Sequence, residues 1–530
     1  MYGGGNLKNI KNRKTTKLTK ISIALLAAAL SLSSCTASTP DDTESKTTTK
    51  AESSAENFVD FVDTEPSDFD EKYKACQDMY PDKSVLVWLT DDYVRYENQL
   101  NEYLADNGYD YVICFRTVEM SSDYGNTYLR AVENIAQSGE IFDILDSFSV
   151  CLVAEAVSNS YYYLASNNLF APLETYLTDE KYTDIYSLMP QKYWSSYEFD
   201  GHIYGVDNSF STLYADSGML VYNDILDQNG VSAEDFSQPL DELEPTLKAV
   251  YEACNKPFNF SCSFWTQDIF TANYPMAIGI AISNSKAVNV FEQPETLQYY
   301  KLLEKYSAEG FVTVDSPSEI SAGYNCEHRA AFGNTLSNNI SAAPYTEVYN
   351  HQNNFICSPT NAVGVYSGSE NKDLAADAIL NVLYNKEINN IITYGAEGVQ
   401  YDVENGKAVM RYDDNAPFRI DRKYNDPLIS YPSADENDII TPLDYYSAYE
   451  SAEYLDGCGF FFDLSDEKLS AEYLNVVNKI SEFSPPYSNS DKDNNVENYI
   501  AEFNRSLYNA GLQDILDEAN KQLEEYNETH

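Results

Sequence analysis

Basic side chains are scarce in this chain. Over 530 residues, 34 Lys and Arg stand against 84 Asp and Glu, a formal net charge of -50. A surface of that sign repels phosphate backbones and anionic headgroups, so nucleic acid and peripheral basic membrane binding are discounted. Histidine is scarcer still: His202, His328, His351 and His530 have no metal-ligand spacing, which argues against a His-rich zinc site. The nine cysteines include no C-x-x-C, so neither a zinc ribbon nor a redox motif is written here. No G-x-x-x-x-G-K-S/T occurs, and any ATP hydrolysis belongs to another chain. Two S-x-x-K matches, Ser283 to Lys286 and Ser465 to Lys468, lack the partner motifs of serine acyl-enzymes. Asp491, Asp493, Asn495 and Glu502 fall at calcium-loop positions. Val496 stands where that loop requires glycine, so the stretch reads as a solvated helix entry. No cofactor, metal or catalytic residue is expected.

Tyrosine, by contrast, is abundant, with 45 copies. Its apolar face and polar tip suit wet clefts and exposed surfaces, which is where these side chains are expected. The N-terminus carries the most specific local signal. Six basic residues and no acid precede the end of an apolar run, Ile21 to Leu32, too short to span a bilayer comfortably and about right for a signal-peptide core. The run ends in Leu32-Ser33-Ser34-Cys35, which resembles the lipobox of bacterial lipoproteins, with the Cys35 thiol as the acylation nucleophile. Residues 1–34 are therefore expected to be a lipoprotein signal peptide and Cys35 the site of lipid attachment. Residues 35–80, rich in Ser, Thr and acids, are expected to be a flexible tether. The eight remaining cysteines have irregular spacing. A Cys254–Cys262 bridge and scattered free thiols are both compatible with it.

Ordered pattern begins at Ser84–Leu89, a continuous apolar run of strand length. Tyr93, Tyr96, Leu100, Tyr103 and Leu104 recur on one helical face, and Gly108 stands at the C-cap position. A second strand is expected over Tyr109–Phe115, a helix over Tyr124–Ser138 stopped by Gly139, and a third strand over Ile141–Phe148. This β-α-β-α-β alternation implies a parallel sheet covered by helices on both faces. Further on, Ala154–Leu177 reads as largely helical, and Glu198–Val206 as a hairpin turning at Asp200-Gly201. Helices are expected over Leu240–Cys254, Pro294–Ala308, Lys372–Tyr394 and Val496–Tyr526, the last broken at Gly511. No fixed-period repeat is present.

Several segments, taken in order, resemble the extracellular solute-binding proteins of ABC importers. Val85–Leu104 followed by Tyr109–Phe115 resembles their opening. Asn168–Leu173 looks like their apolar-x-Pro-Leu helix entry, and Phe199-Asp200-Gly201-His202-Ile203-Tyr204-Gly205-Val206 like their glycine-and-tyrosine hairpin. Met219–Asn223 through Asn229-Gly230-Val231 is similar to the strand and helix that follow. Ile391–Gly398 resembles a segment of a large Firmicutes lipoprotein branch that carries an extra C-terminal domain of unassigned function. One departure stands out: Asp207 occupies a position where the family usually has Pro.

The resemblance implies a two-lobed α/β, periplasmic-binding-protein-like fold with hinge strands and a C-terminal helical appendage. Lobe 1 is expected over 81–210 with part of 360–420 returning to it, lobe 2 over 211–359, and the extension over 420–530. It also implies a carbohydrate receptor, lipid-anchored on the extracellular face of the cell membrane, that captures an oligosaccharide and delivers it to the transmembrane subunits of an ABC permease. The resemblance carries over no ligand contacts, so these are read from the residues. Carboxylates at strand ends can accept pairs of sugar hydroxyls, which singles out Asp91, Asp92 and Asp146. Aromatic rings can cover a sugar's apolar face, which singles out Trp194 and Trp265 in polar loops, while Trp88 within its strand suits the core. Asn208 lies near the expected crossover and joins the candidates. Capping of the following helix is the competing use of Asp91 and Asp92. A cell-surface glycoside-active enzyme and a glycan adhesion or sensory module are the rival functions.

Overall fold

The computed structural model describes residues 69–91, 93–118, 126–147, 159–182, 186–187, 189–207, 213–215, 218–222, 230–236, 238, 240–260, 279–314, 322–325, 329–330, 345–349, 354–359, 361–411, 424, 429–434, 442–485 and 495–528. Thr64–His530 form one compact unit. Its first sheet follows the expected alternation. Strand β1 (Ser84–Thr90) pairs in parallel with β2 (Tyr111–Thr117), Ser84 opposite Tyr111 and Thr90 opposite Thr117, and with β3 (Ile144–Ser147) on its other side. β1 can be apolar throughout because both of its faces are covered. On one face Leu100 and Leu104 of α2 (Glu97–Asp106) and Tyr128, Val132 and Ile135 of α3 (Asn126–Ser138) join the core.

The other face explains a difference from the sequence reading. Val85, Val112 and Cys114 point away from the main core and would be bare without a cover. Phe69, Tyr73 and Cys76 supply it from α1 (Phe69–Met79), inside the stretch expected to be a flexible tether. Lys72 secures the helix by donating to the Phe115 carbonyl at 2.6 Å and to Glu97 at 2.7 Å. A fourth strand, Ala362–Val365, returns from late in the chain and pairs antiparallel with β3.

A second, five-stranded sheet has the order Val312–Val314, Phe258–Phe260, Ala322–Asn325, Gly218–Tyr222, Tyr345–Tyr349, mixed in direction. The buried apolar residues divide accordingly. One core joins β1–β3 to residues 161–206, 356–392, 424 and 448–452. The other joins residues 236–312 to 460–523. The helical C-terminus is present, and its helices Glu467–Ile480, Val496–Ala510 and Leu512–Asn527 are built into this second core. Tyr424, Ala448, Tyr449 and Ala452, within the expected 420–530 extension, pack in the first core. Gly511 breaks the last helical stretch with φ +113, as its position suggested.

Among the described residues the chain passes between the two cores three times, after Val206, before Ile356 and after Ala452. Each passage contributes a strand to one small sheet: Leu213–Ala215, Asn354–Ile356 and Glu453–Tyr454, with Arg329–Ala330 at its edge. Two expected helices are interrupted. Among the described residues of Ala154–Leu177 the helices are Ser160–Ser166 and Glu174–Leu177, because Asn168 turns at φ +55 and Phe170 forms a bridge to Tyr366. Lys372–Tyr394 breaks at Asn385, whose side chain caps the second half by accepting from the Glu387 and Ile388 amides. The Glu198–Ile203 hairpin is as expected, with Asp200 at φ +50 and Gly201 at φ +79, the positive pair that a two-residue hairpin turn favours. The abundant tyrosines are another correction. Tyr111, Tyr128, Tyr161, Tyr162, Tyr193, Tyr197, Tyr300, Tyr306 and Tyr424 are fully buried, where a wet surface was expected.

Candidate functional site

In an open α/β sheet the ligand crevice lies beyond the carboxyl ends of the parallel strands. At that end of the first sheet the described residues are Thr90, Asp91, Thr117, Val118, Asp146 and Ser147. Asp91 is partly exposed directly after β1. Asp146 is not available to a ligand. It is fully buried, accepting from Trp88 Nε1 at 3.0 Å and from the Tyr424 hydroxyl at 2.7 Å, with Thr90 Oγ1 3.0 Å from that hydroxyl. Burial pushes its carboxyl up to about 7, and the donors Trp88, Tyr424 and Thr90 oppose the shift. The Tyr128 hydroxyl lies 3.2 Å from both the Leu89 and Asp146 carbonyls and closes the cluster from α3. Tyr424 covers Trp88 and Phe115 with ring centroids 4.9 and 5.9 Å away, so an aromatic lid fills the space where an open strand end was expected.

Trp194 is likewise a packing residue. It is 1% exposed, stacks on Tyr186 at 5.0 Å and 14°, and donates from Nε1 to the Tyr186 carbonyl at 2.9 Å. Its short helix, Gln191–Ser196, turns the indole inward. Trp88 is fully buried in its strand, as its surroundings suggested. Asp92, Asn208, Trp265 and Cys35 lie outside the described residues.

The first crossing leaves the core beside Asp207. Val206 exchanges both backbone hydrogen bonds with Val363, at 3.0 and 2.8 Å. The next amide, of Asp207, donates to the Tyr193 hydroxyl at 3.2 Å. Proline has no N–H and could not make this bond, which gives the departure at this position a physical reason. The third crossing is held from the same helix. Lys192 Nζ donates to the carbonyls of Glu450 and Ala452, both at 2.8 Å, at the end of helix Pro442–Ser451, and Tyr454 donates to the Lys192 carbonyl at 3.1 Å. The Gln191–Ser196 helix thus touches the first and third passages, both of which leave the first core. Sequence reasoning missed Asp207, Lys192 and Tyr424 as structural determinants. The departure from proline was the only signal for any of them.

Asn495 caps Val496–Ala510 by accepting from the Asn498 amide at 2.9 Å, the helix entry expected over a calcium loop. Among the described residues Cys76, Cys114, Cys254 and Cys458 are free thiols. Among the described residues, no group of three or more His, Cys, Asp or Glu could hold a metal ion, and no helix is long and apolar enough to cross a membrane.

The two cores share one small sheet, to which each described passage between them contributes a strand. The N-glycan transport solute-binding protein NgtS of Streptococcus pneumoniae has this fold, with TM-score 0.64 at 18% identity, covering 84% of this chain and 99% of that one. The same protein in complex with Man1GlcNAc gives TM-score 0.57 over the same coverage, at 19% identity. By sequence, a carbohydrate ABC transporter substrate-binding protein of S. pneumoniae serotype 4 is 26% identical over 313 residues. That match takes in 54% of this chain and 58% of the relative. Residues 457–528 match the family described as Domain of unknown function (DUF3502). These likenesses bear out the fold that the resemblance implied, that of the solute-binding proteins.

Proposed function

We propose that this protein is the extracellular receptor of an ABC importer, which captures an oligosaccharide between its two lobes and hands it to the permease. The observation that carries the reading is the set of three crossings on one small sheet, the arrangement that lets two packed lobes close about a hinge. A relative described as a carbohydrate transporter component supports the class of cargo. NgtS, which has been crystallised with Man1GlcNAc and Man5GlcNAc, favours an oligosaccharide of mannose and N-acetylglucosamine. Binding and not hydrolysis is the activity. Asp91, Asp92, Asn208 and Trp265 remain the proposed ligand contacts, while Asp146 and Trp194 serve the core. The anchor is a lipid on Cys35 after removal of residues 1–34, which holds the receptor at the outer face of the membrane.

The test is a thermal-shift screen of residues 36–530 against mannose- and N-acetylglucosamine-containing oligosaccharides, with chromatography of the recovered sugar. Ligand at 100 times Kd stabilises the folded state by about 2.7 kcal/mol, a rise of about 3 °C for a cooperative unit of this size. A matching glycan should raise the melting temperature and return uncut. Cleaved sugar would favour a surface enzyme, and no shift across the panel would remove the oligosaccharide assignment. Mass spectrometry of the membrane fraction tests the anchor: Cys35→Ser should abolish the diacylglyceryl adduct and release the protein.

A further inference from the structure

We propose that residues 457–528, the segment matching a domain of unknown function, are the clamp that fixes the third crossing to lobe 2, so that clamp and lobe move as one body. The inference rests on the fold alone and does not depend on what the cleft binds.

Lobe 2 contains a two-stranded antiparallel sheet, Ile280–Ser283 with Lys286–Asn289. Among the described residues one edge of the second strand has no strand partner, and a bare edge is a template for pairing with another chain. The C-terminal helices occupy that edge with side-chain amides. Asn520 accepts from the Ala287 amide at 2.9 Å and donates to the Ala287 carbonyl at 3.2 Å, the two bonds a neighbouring strand would make. Asn504 continues the edge, donating to the Phe291 carbonyl at 3.0 Å and accepting from Asn289 at 2.9 Å. Two residues after Asn520, on the same helix, Gln522 repeats the device on the segment leaving the third crossing. It accepts from the Asp463 amide at 2.8 Å and donates to the Asp463 carbonyl at 3.0 Å. Tyr526 donates to the Cys458 carbonyl at 3.0 Å one turn further on. A single helix therefore grips the edge of lobe 2 and the exit of the crossing together.

The apolar contact has the same reciprocity. Gly279 of lobe 2 has φ +90 and leaves room for its own Phe291 and for Ile480 of the C-terminal unit, since a Cβ there would lie 2.8 Å from Phe291 Cε2 and 3.1 Å from Ile480 Cδ1. Gly457 of the C-terminal unit has φ +71 and leaves room for Ile282 of lobe 2, since a Cβ there would lie 2.6 Å from Ile282 Cδ1. Each part gives up a side chain to admit the other's isoleucine, and both glycines also need the left-handed backbone. Phe291 then packs against Phe483 and Phe503, at 4.7 and 5.0 Å, and these two rings also touch each other at 4.9 Å. Asp456, which directly follows the crossing, accepts from the Ser285 amide at the tip of the lobe 2 hairpin. A freely hinged accessory module would have neither the paired amides nor the interlocked glycines.

The test is hydrogen exchange by mass spectrometry on residues 36–530, in native buffer and in sub-denaturing urea. The clamp predicts that 280–292, 457–465 and 496–527 lose protection at one urea concentration. Asn520→Leu removes both bonds to Ala287 and should speed exchange across all three segments, on the order of tenfold. Asn520→Asp keeps the acceptor and loses the donor, so it should give a smaller change in the same three places and serves if the first variant does not fold. Loss of protection over 457–528 at lower urea, with 280–292 still protected, would overturn the proposal. So would an Asn520→Leu effect confined to Ala287 and its neighbours.

Discussion

The two cores differ in what they bury. Asp143, Asp146, Asp207 and Asp377 all lie in or against the first core, while among the described residues the second core buries no carboxylate. In the first core these acids do structural work through the backbone. Asp143 accepts from the Val87 amide at 3.0 Å, from Ser369 at 2.6 Å and from Asn371 at 3.2 Å, tying β1 to the segment after the returning strand. The second core is held by aromatic stacking, interlocked glycines and side-chain amides that carry no charge. Among the described residues, buried carboxylates thus belong to the first core alone.

The largest effect should come from the uncharged core. Phe291→Ala removes the lobe 2 ring packed against Phe483 and Phe503 and should cost about 3–5 kcal/mol, read from urea midpoints. Because lobe 2 and the C-terminal unit share that ring, one transition should move and not two. If only one half shifts, the second core is not continuous.

Asp146 tests the other side of the comparison. Its native pKa, about 7, is above the unfolded value of about 3.9, so the native state retains a proton that the unfolded chain has released. Its contribution to stability is complete below about pH 4 and is lost as pH rises to about 7, on the order of 4 kcal/mol in all. Asp146→Asn keeps an acceptor for Trp88 and removes the titration. Wild type minus variant, measured as unfolding free energy from pH 4 to pH 8, should fall with pH and then level off. The many surface acids contribute equally to both proteins and cancel. A flat difference would show that this carboxylate does not titrate on folding.

Smaller effects should follow at single positions. Gly457→Ala forces a side chain into a left-handed backbone against Ile282 and should cost about 2 kcal/mol, with the loss read in the second core. Asn385→Ala removes the cap of Lys386–Tyr394 in the first core and should cost about 1 kcal/mol by the same measurement.

How much of this could be read from the sequence depended on how far apart the interacting residues lie. β1, α2, β2, α3 and β3 emerged within a few residues of their observed bounds, because each is set by its own periodicity and glycine stops. The Asp200-Gly201 turn and the break at Gly511 were local in the same way. Asp146 was misplaced because the residue that covers it, Tyr424, is 278 positions away. Trp194 was misplaced for a closer reason: Ser195 and Ser196 suggested a polar loop, whereas the helix turns the indole onto Tyr186. Helix α1 was missed because its short, acid-interrupted pattern is weak in isolation, and only the uncovered face of β1 and β2 calls for it. The C-terminal helices were legible as helices. Their partner was not, since Asn520 meets Ala287 across 233 positions.

Small-angle scattering of residues 36–530, titrated with mannose–N-acetylglucosamine oligosaccharides, tests the central claim most directly. Closure of two lobes about the crossing sheet predicts a saturable fall in the radius of gyration. A radius unchanged across the series, up to millimolar sugar, would contradict capture of an oligosaccharide by closure.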